Sequence, residues 1–319
     1  MIIMDLAENL RAVSLEDNAI LFSPQAHSQW RHVRLNPIPR YLFRVFTPKS
    51  DGHTDATVSR SRDASSGKQG WDEDIFATSA PVETARTIAD HLWWRRRSDR
   101  ADNLVSWTSS ILFAVRYMFY RHYDPKDGSP LADINLLILD TSTFMGGTFI
   151  RDVDLIAAFK SFDNNDVQSL QAMARLRSRP EFYFGEYLSQ GSLTMRGRCS
   201  YVSAATMISS GILELHHSFQ QASQGFDREK WVKPVQGMRV SIRTVSTAEQ
   251  ASAELLERVL DCASAFEQCW QLPVTVQFLA ILPFRLEKRV VYEKIYARMK
   301  PTGRNSALPI LSNETDCNV

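Results

Sequence analysis

One carboxylate stands in an otherwise aromatic stretch of the chain. Glu186 lies in the run 181–190, whose aromatic residues are typical of a β-strand, and this run ends at Gly191. Burial of an ionised carboxylate costs free energy unless the group is paired or used in chemistry. Two interpretations follow: Glu186 is exposed or paired with an arginine, or it is presented at the rim of a cleft.

A guanidinium lies on an earlier predicted strand. Arg44 belongs to the aromatic and β-branched run Tyr41–Phe46, and the period of two places it on one face with Leu42 and Phe46. A cation beside apolar neighbours requires an anion. That anion is either a protein carboxylate or a bound phosphate or carboxylate, which the guanidinium fork suits.

Hydroxyl groups cluster where another predicted strand ends. The run 103–110 contains Ser106, Thr108, Ser109 and Ser110, and it directly precedes a helix predicted over 111–123. Ser109 or Ser110 can cap that helix by accepting hydrogen bonds from its first N–H groups. Capping explains one of these hydroxyls and leaves the cluster unexplained.

The overall composition is that of a globular protein. The chain has 319 residues, of which 44% are hydrophobic and 23% charged, and its net charge of +1 gives no global basic field for nucleic acid or membranes. Four cysteines without a CxxC pair indicate reduced thiols, and no signal peptide, membrane span or metal-ligand spacing is found. We therefore expect a cytoplasmic protein that needs no metal and contacts no membrane.

The remaining segments predict the elements around these residues. Helices are expected from Pro81 to about Trp94, over 152–159 and over 166–177, and a buried strand is expected over 133–140. The polar composition of 47–74 predicts a long, mobile surface loop. The basic run Arg95–Arg100 is either a solvated helix end or a phosphate-contacting patch.

The C-terminal part has a different character. A capping box at Ser246 predicts a long helix to about Gln271, which Pro273 would end. Apolar runs predict strands over 274–282 and 290–297, and residues 300–319 are expected to form a loose tail. A polar segment at 220–225 is a plausible domain boundary.

The Arg44 strand, the serine-rich strand end at Ser106–Ser110 and the Glu186 strand that closes at Gly191 together resemble the ADP-ribosyltransferase superfamily, in particular its Arg-Ser-Glu class. The stretch from 39 to about 203 is also similar to an uncharacterised family of fungal proteins. The resemblance implies an α+β fold of split antiparallel sheets with flanking helices around an NAD cleft. The expected organisation is a lead-in over 1–36, the transferase-like domain over 37–220, and a C-terminal α/β extension with the long helix over 221–319.

The resemblance also implies a role for each site residue. Glu186 would stabilise the positive charge that develops on the ribose of NAD, and Ser106 would orient its carboxylate. Arg44 would hold a phosphate or ribose of the co-substrate. Thr108 and Tyr183 would complete the nucleotide site, and one of Tyr183, Trp93 and Trp107 could stack on nicotinamide.

Two positions depart from the pattern of that class. Phe184 stands two residues before Glu186, where members that modify arginine have Glu or Gln. The Ser-Thr-Ser pattern of the class is Ser106-Trp107-Thr108 in this chain. Arginine is therefore not favoured as the acceptor.

Three functional hypotheses follow. The first is transfer of ADP-ribose from NAD to a protein, nucleic acid or small molecule. The second is a tRNA-dependent, aminoacyl-transferring enzyme of the cyclodipeptide-synthase type, whose cleft would hold the 3′ adenosine of tRNA and whose basic run 95–100 would contact phosphates. The third is a non-catalytic interaction protein with the same fold.

Overall fold

The computed structural model describes residues 19–95, 102–163, 167–225, 233–244, 252–284 and 287–299. These residues form a mixed α+β architecture of antiparallel sheets with flanking helices. The strands are β1 Tyr41–Phe46, β2 His53–Thr54, β3 Val58–Arg60, β4 Leu104–Thr108, β5 Asn135–Asp140, β6 Ile150–Arg151, β7 Glu186–Gln190, β8 Ser192–Thr194 and β9 Cys199–Ser203. One sheet has the order β6-β7-β4-β1-β5-β9 and the other has the order β2-β3-β8.

Helices flank the larger sheet. They are α1 Arg62–Ser66, α2 Pro81–Leu92, α3 Ile111–Tyr123, α4 Asp152–Phe159, α5 Leu170–Arg177, α6 Ala204–Ser209, α7 His217–Ser223, α8 Lys233–Arg243, α9 Ala253–Ser264, α10 Gln271–Leu279 and α11 Lys288–Met299. The Ser110 hydroxyl accepts a hydrogen bond from the Phe113 N–H at 3.2 Å, so it caps α3 as the sequence indicates.

Three neighbouring strands of the larger sheet contain the predicted site. In the antiparallel pair of β4 and β7, Ser106 lies opposite Leu188 and Thr108 opposite Glu186. On the other side of β4, Phe43 of β1 is registered with Thr108. Arg44, Ser106 and Glu186 therefore lie on consecutive strands, although they are far apart in sequence.

Apolar packing places helices over the strand face that bears Ser106 and Glu186. One hydrophobic cluster joins Leu104 of β4 and Leu188 of β7 to Ile88 of α2 and Met173 of α5. Leu104 and Ser106 share a face of β4 because side chains alternate along a strand. The same packing brings the ends of α2 and α5 to the site.

A second cluster extends from the sheet into the C-terminal helices. It contains Phe43 and Val45 of β1, Val115 of α3, Val259 of α9 and Phe278 of α10, all buried. Residues on both sides of position 220 thus contribute to one core. Within the described residues, no helix combines the length and the apolarity that crossing a bilayer requires.

Several predicted elements are confirmed. The strands at 41–46, 104–108 and 135–140 and the helices at 81–92, 111–123 and 152–159 are present. The second helix of the pair leading to Glu186 is shorter than expected and spans Leu170–Arg177, while 164–166 lie outside the described residues. The strand at Glu186 begins at that residue, and a 3-10 helix at Pro180–Phe182 occupies the aromatic stretch before it.

The prediction of a surface loop over 47–74 is wrong. This segment contains β2, β3 and α1, and β3 pairs with β8. The composition is too polar for an apolar core, but the polar groups hydrogen-bond to one another inside the fold. Buried Ser61 donates to the Asn103 side chain at 3.0 Å, and the buried Asp63 carboxylate accepts from the Asp102 N–H at 2.6 Å.

The predicted C-terminal α/β extension is also wrong, because the described residues there are helical. Of the apolar runs expected as strands, 274–279 lies in α10 and 290–297 lies in α11. A short apolar run fits either element, and buried Val274 and Phe278 have the i, i+4 spacing of a helix. Pro273 does not end a helix but lies in the first turn of α10, where no intrahelical N–H is required of it.

The long helix from Ser246 is replaced by shorter ones. Ser252 caps α9, with its hydroxyl accepting from the Leu255 N–H at 3.2 Å, and α9 ends at Ser264. The capping box at Ser246 lies outside the described residues. So do Arg96–Arg100, residues 1–18 of the lead-in and the tail over 300–319.

Candidate functional site

Ser106 and Glu186 form the centre of the site. The Ser106 hydroxyl donates a hydrogen bond to Glu186 Oε1 at 2.8 Å. The two residues are diagonal neighbours across the β4–β7 pair, which fixes their separation through the register. The Glu186 side chain is 15% exposed, so it is not fully shielded from solvent.

An arginine holds the other oxygen of this carboxylate. Arg177, the last residue of α5, donates from Nη2 to Glu186 Oε2 and from Nε to Asp152 Oδ2 at 2.7 Å. Its Nη1 donates to the main-chain oxygen of Phe182 at 3.1 Å. Asp152 opens α4 and its side chain is 0% exposed, so Arg177 bridges a fully buried carboxylate and a partly exposed one.

A histidine–aspartate pair reaches Ser106 from the opposite side. His91 lies in the last turn of α2, with Nδ1 2.8 Å from Asp102 Oδ1 and Nε2 2.8 Å from the Ser106 hydroxyl. Asp102, just before β4, also accepts from the Leu104 N–H at 3.2 Å through the same oxygen. The site is therefore a continuous hydrogen-bonded chain, in order: Asp102, His91, Ser106, Glu186, Arg177 and Asp152.

The hydrogen bonds of Ser106 bear on the protonation state of His91. A hydroxyl has one hydrogen, and Ser106 donates it to Glu186. With Glu186 ionised, its oxygens only accept, so His91 Nε2 is left to donate to Ser106, and because Nδ1 faces a carboxylate, both ring nitrogens then bear hydrogen. His91 is in this arrangement an imidazolium between Asp102 and Glu186.

The pKa directions agree with this assignment. Burial lowers the pKa of His91, but the charge and hydrogen bond of Asp102 outweigh it, so that the pKa of His91 is above its usual value. The charge of Glu186 raises it further and that of Arg44 opposes it. Burial likewise acts to raise the pKa of Asp102, yet the adjacent His91 keeps it below the usual value.

The pKa of Asp152 is shifted in the opposite direction from that of Asp102. Burial raises the pKa of Asp152 to about 7, with Arg177 lowering it and the charge of Glu186 raising it. The pKa of Arg177 is raised, because the charges of Glu186 and Asp152 outweigh its burial. Asp152 therefore binds its proton more tightly than an exposed aspartate does, whereas Arg177 stays charged.

Arg44 contacts Ser106 through the main chain. Its Nη1 donates to the Ser106 main-chain oxygen at 2.7 Å, and its Nε donates to the Thr54 hydroxyl of β2 at 3.1 Å. Its Cζ lies 5.8 Å from the centre of the Trp107 ring, and burial lowers the pKa of Arg44 to about 10. Arg44 thus ties β1 to β4 and to the smaller sheet, and Ser106 meets Glu186 without its help.

The two other predicted ligand contacts have different surroundings. The buried Thr108 hydroxyl donates to the Phe184 main-chain oxygen at 2.7 Å and accepts from the Ser110 N–H at 3.1 Å. It therefore shapes the start of α3. The Tyr183 hydroxyl is buried without a hydrogen-bond partner among the described residues, and burial raises the pKa of this phenol.

Glycines permit the close approach of the strand ends. Gly185, directly before Glu186, has a φ of +66°, and a Cβ there would lie 2.0 Å from the Ser109 hydroxyl oxygen. Only glycine accommodates both constraints. The Ser109 N–H donates to the Gly185 main-chain oxygen at 2.8 Å, which closes this end of the β4–β7 pair.

The sequence did not point to four members of the chain: His91, Asp102, Asp152 and Arg177. Two of them continue the buried stripe of a helix, since His91 follows Ile88 by three residues and Arg177 follows Met173 by four. A charged group on a buried helix face was the available signal. Among the described residues, no cluster of three or more His, Cys, Asp or Glu side chains could hold a metal ion.

Comparison with known proteins gives one partial match and no function. Residues 37–193 match the model of a family described as a domain of unknown function, DUF7587. This segment includes every residue of the hydrogen-bonded chain. No curated protein and no solved structure matches the sequence.

Proposed function

We propose that the chain transfers ADP-ribose from NAD and that Glu186 is the catalytic carboxylate. The observation that supports this most is the 2.8 Å hydrogen bond from the Ser106 hydroxyl to Glu186 Oε1, with Arg44 on the next strand bonded to the Ser106 main chain. An arginine, a serine and a glutamate thus follow one another on adjacent strands, which is the order that the Arg-Ser-Glu class of transferases uses.

The smaller sheet supports the finer prediction of two split sheets around a cleft. Thr54 of β2 accepts a hydrogen bond from Arg44 Nε at 3.1 Å, so the guanidinium spans from one sheet to the other. A group at that junction is suited to hold a phosphate or ribose hydroxyl by its planar donor fork. The resemblance assigns Arg44 this role.

The chemistry asked of Glu186 suits its environment. NAD, as co-substrate, supplies a ribose–nicotinamide bond whose cleavage leaves positive charge on the ribose. Each carboxylate oxygen has two acceptor positions, so Glu186 can still accept from a ribose hydroxyl while bonded to Ser106 and Arg177. A fixed negative charge at that point stabilises the transition state more than the ground state.

The unpartnered Tyr183 hydroxyl is a further observation that fits a polar ligand. A buried hydroxyl without a partner costs about 1–3 kcal/mol, and native proteins rarely tolerate this without a reason. Tyr183 precedes Glu186 by three residues and lies within electrostatic reach of Asp152 and Arg177. We assign it to the nucleotide site, as the resemblance implies.

The experiment that tests the proposal measures nicotinamide released from NAD by mass spectrometry. Glu186→Gln keeps the shape of the side chain and removes its charge, so we expect release to fall by roughly 100-fold or more. The matched control is Glu83→Gln, an exposed glutamate paired with Arg86 on α2, which should leave the rate unchanged. Equal rates for the wild type and Glu186→Gln would reject the catalytic assignment.

Two further assays on the same purified protein distinguish the other two hypotheses. Consumption of aminoacyl-tRNA, abolished by Glu186→Gln, in the absence of NAD turnover would support the aminoacyl-transferring enzyme. Binding of a protein partner that is indifferent to Glu186→Gln, again without turnover, would support the interaction protein.

One observation favours a second candidate, a serine acyl-transfer enzyme. The spacing of Asp102, His91 and Ser106, 2.8 Å at each step, is that of a catalytic triad with Ser106 as nucleophile. This requires a neutral His91 that accepts the Ser106 proton, whereas the 2.8 Å hydrogen bond to an ionised Glu186 uses the same proton. Labelling of Ser106 by a fluorophosphonate, lost in His91→Gln, would establish it, and no labelling would exclude it.

A further inference from the structure

We propose that Asp102 and His91 form a positioning pair that turns the Ser106 hydroxyl toward Glu186, so that the protonation state of His91 regulates the catalytic carboxylate. The inference rests on the proposed function for its effect on turnover. The juxtaposition itself, a histidine between a carboxylate and the serine that holds the catalytic glutamate, is a property of the fold.

Helix packing and hydrogen bonds fix the positions of His91 and Asp102. His91 is held at the end of α2 by that helix's buried face, and its ring is tied at both nitrogens. Asp102 is fixed on three sides: its N–H donates to Asp63 Oδ2 at 2.6 Å, and its Oδ1 accepts from both His91 and the Leu104 N–H. A cation at the C-terminal end of a helix is also favoured by the helix dipole.

Protonation of His91 determines the direction of the Ser106 hydrogen bond. When His91 is an imidazolium, Nε2 donates to Ser106 and the hydroxyl must donate onward to Glu186. When His91 is neutral with its hydrogen on Nδ1, facing Asp102, Nε2 becomes an acceptor and the hydroxyl turns to it. Glu186 Oε1 then loses its donor and the carboxylate is held by Arg177 alone.

The charged groups around His91 favour the imidazolium. Asp102 and Glu186 raise its pKa and Arg44 lowers it, while Asp63 is linked to it through the Asp102 main chain. The pKa of His91 is raised in the folded protein, so the positioned state is present below that pKa and is lost as the pH rises through it. NAD turnover should accordingly decline on the alkaline side. The serine nucleophile requires the reverse, a rate that increases as His91 loses its proton.

The test combines a pH–rate profile with a nitrogen-15 NMR titration of the histidine rings, both on the full chain. Asp102→Asn retains the acceptor oxygen for His91 and Leu104 but removes the charge, so the alkaline decline should move to lower pH. His91→Gln supplies an amide N–H that does not titrate in this range, so the decline should vanish while the maximal rate falls about tenfold.

The matched control is a second histidine–aspartate pair in the same chain. His53 Nε2 lies 2.9 Å from Asp55 Oδ2 on the exposed edge of the smaller sheet. Asp55→Asn should leave the pH–rate profile and the His91 titration unchanged. This separates an effect of the Asp102 charge on His91 from a general effect of removing an aspartate.

The NMR measurement does not depend on turnover. Asp102→Asn and Glu186→Gln should each lower the pKa of His91, because both carboxylates raise it. If these shifts occur while the wild type consumes no NAD at any pH, the pair is established and the proposed function fails. If neither variant moves the His91 titration, or if His91→Gln keeps the alkaline decline, the positioning pair is refuted.

Discussion

Loss of the Arg177 side chain should destabilise the protein more than loss of any exposed arginine. Arg177 is 12% exposed and makes three hydrogen bonds, to Asp152, Glu186 and the Phe182 main chain. Arg177→Met preserves most of the volume but leaves two carboxylates facing one another, one of them fully buried. Removing one partner of a buried ion pair costs about 3–5 kcal/mol, and we expect a decrease of that size in the free energy of unfolding.

The loss of unfolding free energy in Arg177→Met should depend on pH. The protonation of Asp152 sets the direction of that dependence. The pKa of Asp152 is about 7 in the folded protein against an ordinary value of 3.8. A raised pKa means that the folded state binds the proton more tightly, so this contribution to stability is complete below the ordinary pKa and is lost as the pH rises through about 7. Arg177 lowers the pKa of Asp152, so Arg177→Met raises it further and extends the loss to higher pH. The variant should be closest to the wild type at pH 5 and furthest from it at pH 8.

The measurement is urea unfolding of both proteins at several pH values between 5 and 8. Arg151→Met is the matched control, because Arg151 pairs with Asp154 beside the same helix, α4, and its side chain is 31% exposed, more than twice the value for Arg177. A surface pair of this kind contributes about 0–1 kcal/mol. If Arg177→Met loses no more stability than Arg151→Met, or if its loss does not grow with pH, then Arg177 does not neutralise the buried carboxylate.

Two further predictions concern the scaffold and the thiols. Gly191→Ala should cost more stability than Gly67→Ala in urea unfolding: both positions have φ near +65°, which costs an alanine about 1–2 kcal/mol, but only at Gly191 would the Cβ meet Ile20 Cδ1, at 2.2 Å. Equal losses would show that Ile20 moves aside at no cost. In peptide mapping after iodoacetamide treatment at pH 8, exposed Cys269 should react at least about tenfold faster than Cys199 and Cys262, because burial raises the pKa of both of these thiols to about 12. Comparable labelling of all three would contradict the buried placement of Cys199 and Cys262.

Local sequence patterns predicted the strands and helices that have a clear residue period or a clear start signal. Strands β1 and β4 alternate or carry β-branched and aromatic residues, and α2 and α3 begin at a proline and a capping serine. The C-terminal apolar run 274–282 offers no such discrimination, since a short run of buried residues suits a strand or a helix equally. Its helical state is determined by packing against α9, in the core that contains Val259 and Phe278.

The sequence predicted Ser106 and Glu186 but not their partners His91 and Arg177. Ser106 and Glu186 are conspicuous because each is a polar residue in an apolar strand, and such a residue is either satisfied or functional. Their partners His91 and Arg177 come from helices that contact these strands only in the folded chain. Spacing along the sequence cannot reveal a contact that tertiary packing creates. Because His91 and Arg177 lie on buried helix faces, the sequence indicates that each needs a partner, but it does not identify that partner.

The sheet and the helices contribute different properties to the carboxylate. The sheet fixes where Glu186 lies: the β4–β7 register places it beside Ser106, and Gly185 allows the strand to begin there. The neighbouring strand β4 supplies only a neutral hydroxyl, that of Ser106. The two cations, His91 from α2 and Arg177 from α5, come from the helical layer, and each stands between two carboxylates. Substitutions of the uncharged residues Gly185 and Ser106 should therefore alter the geometry of the site, whereas substitutions of His91, Arg177 or the carboxylates that they pair with should alter its dependence on pH.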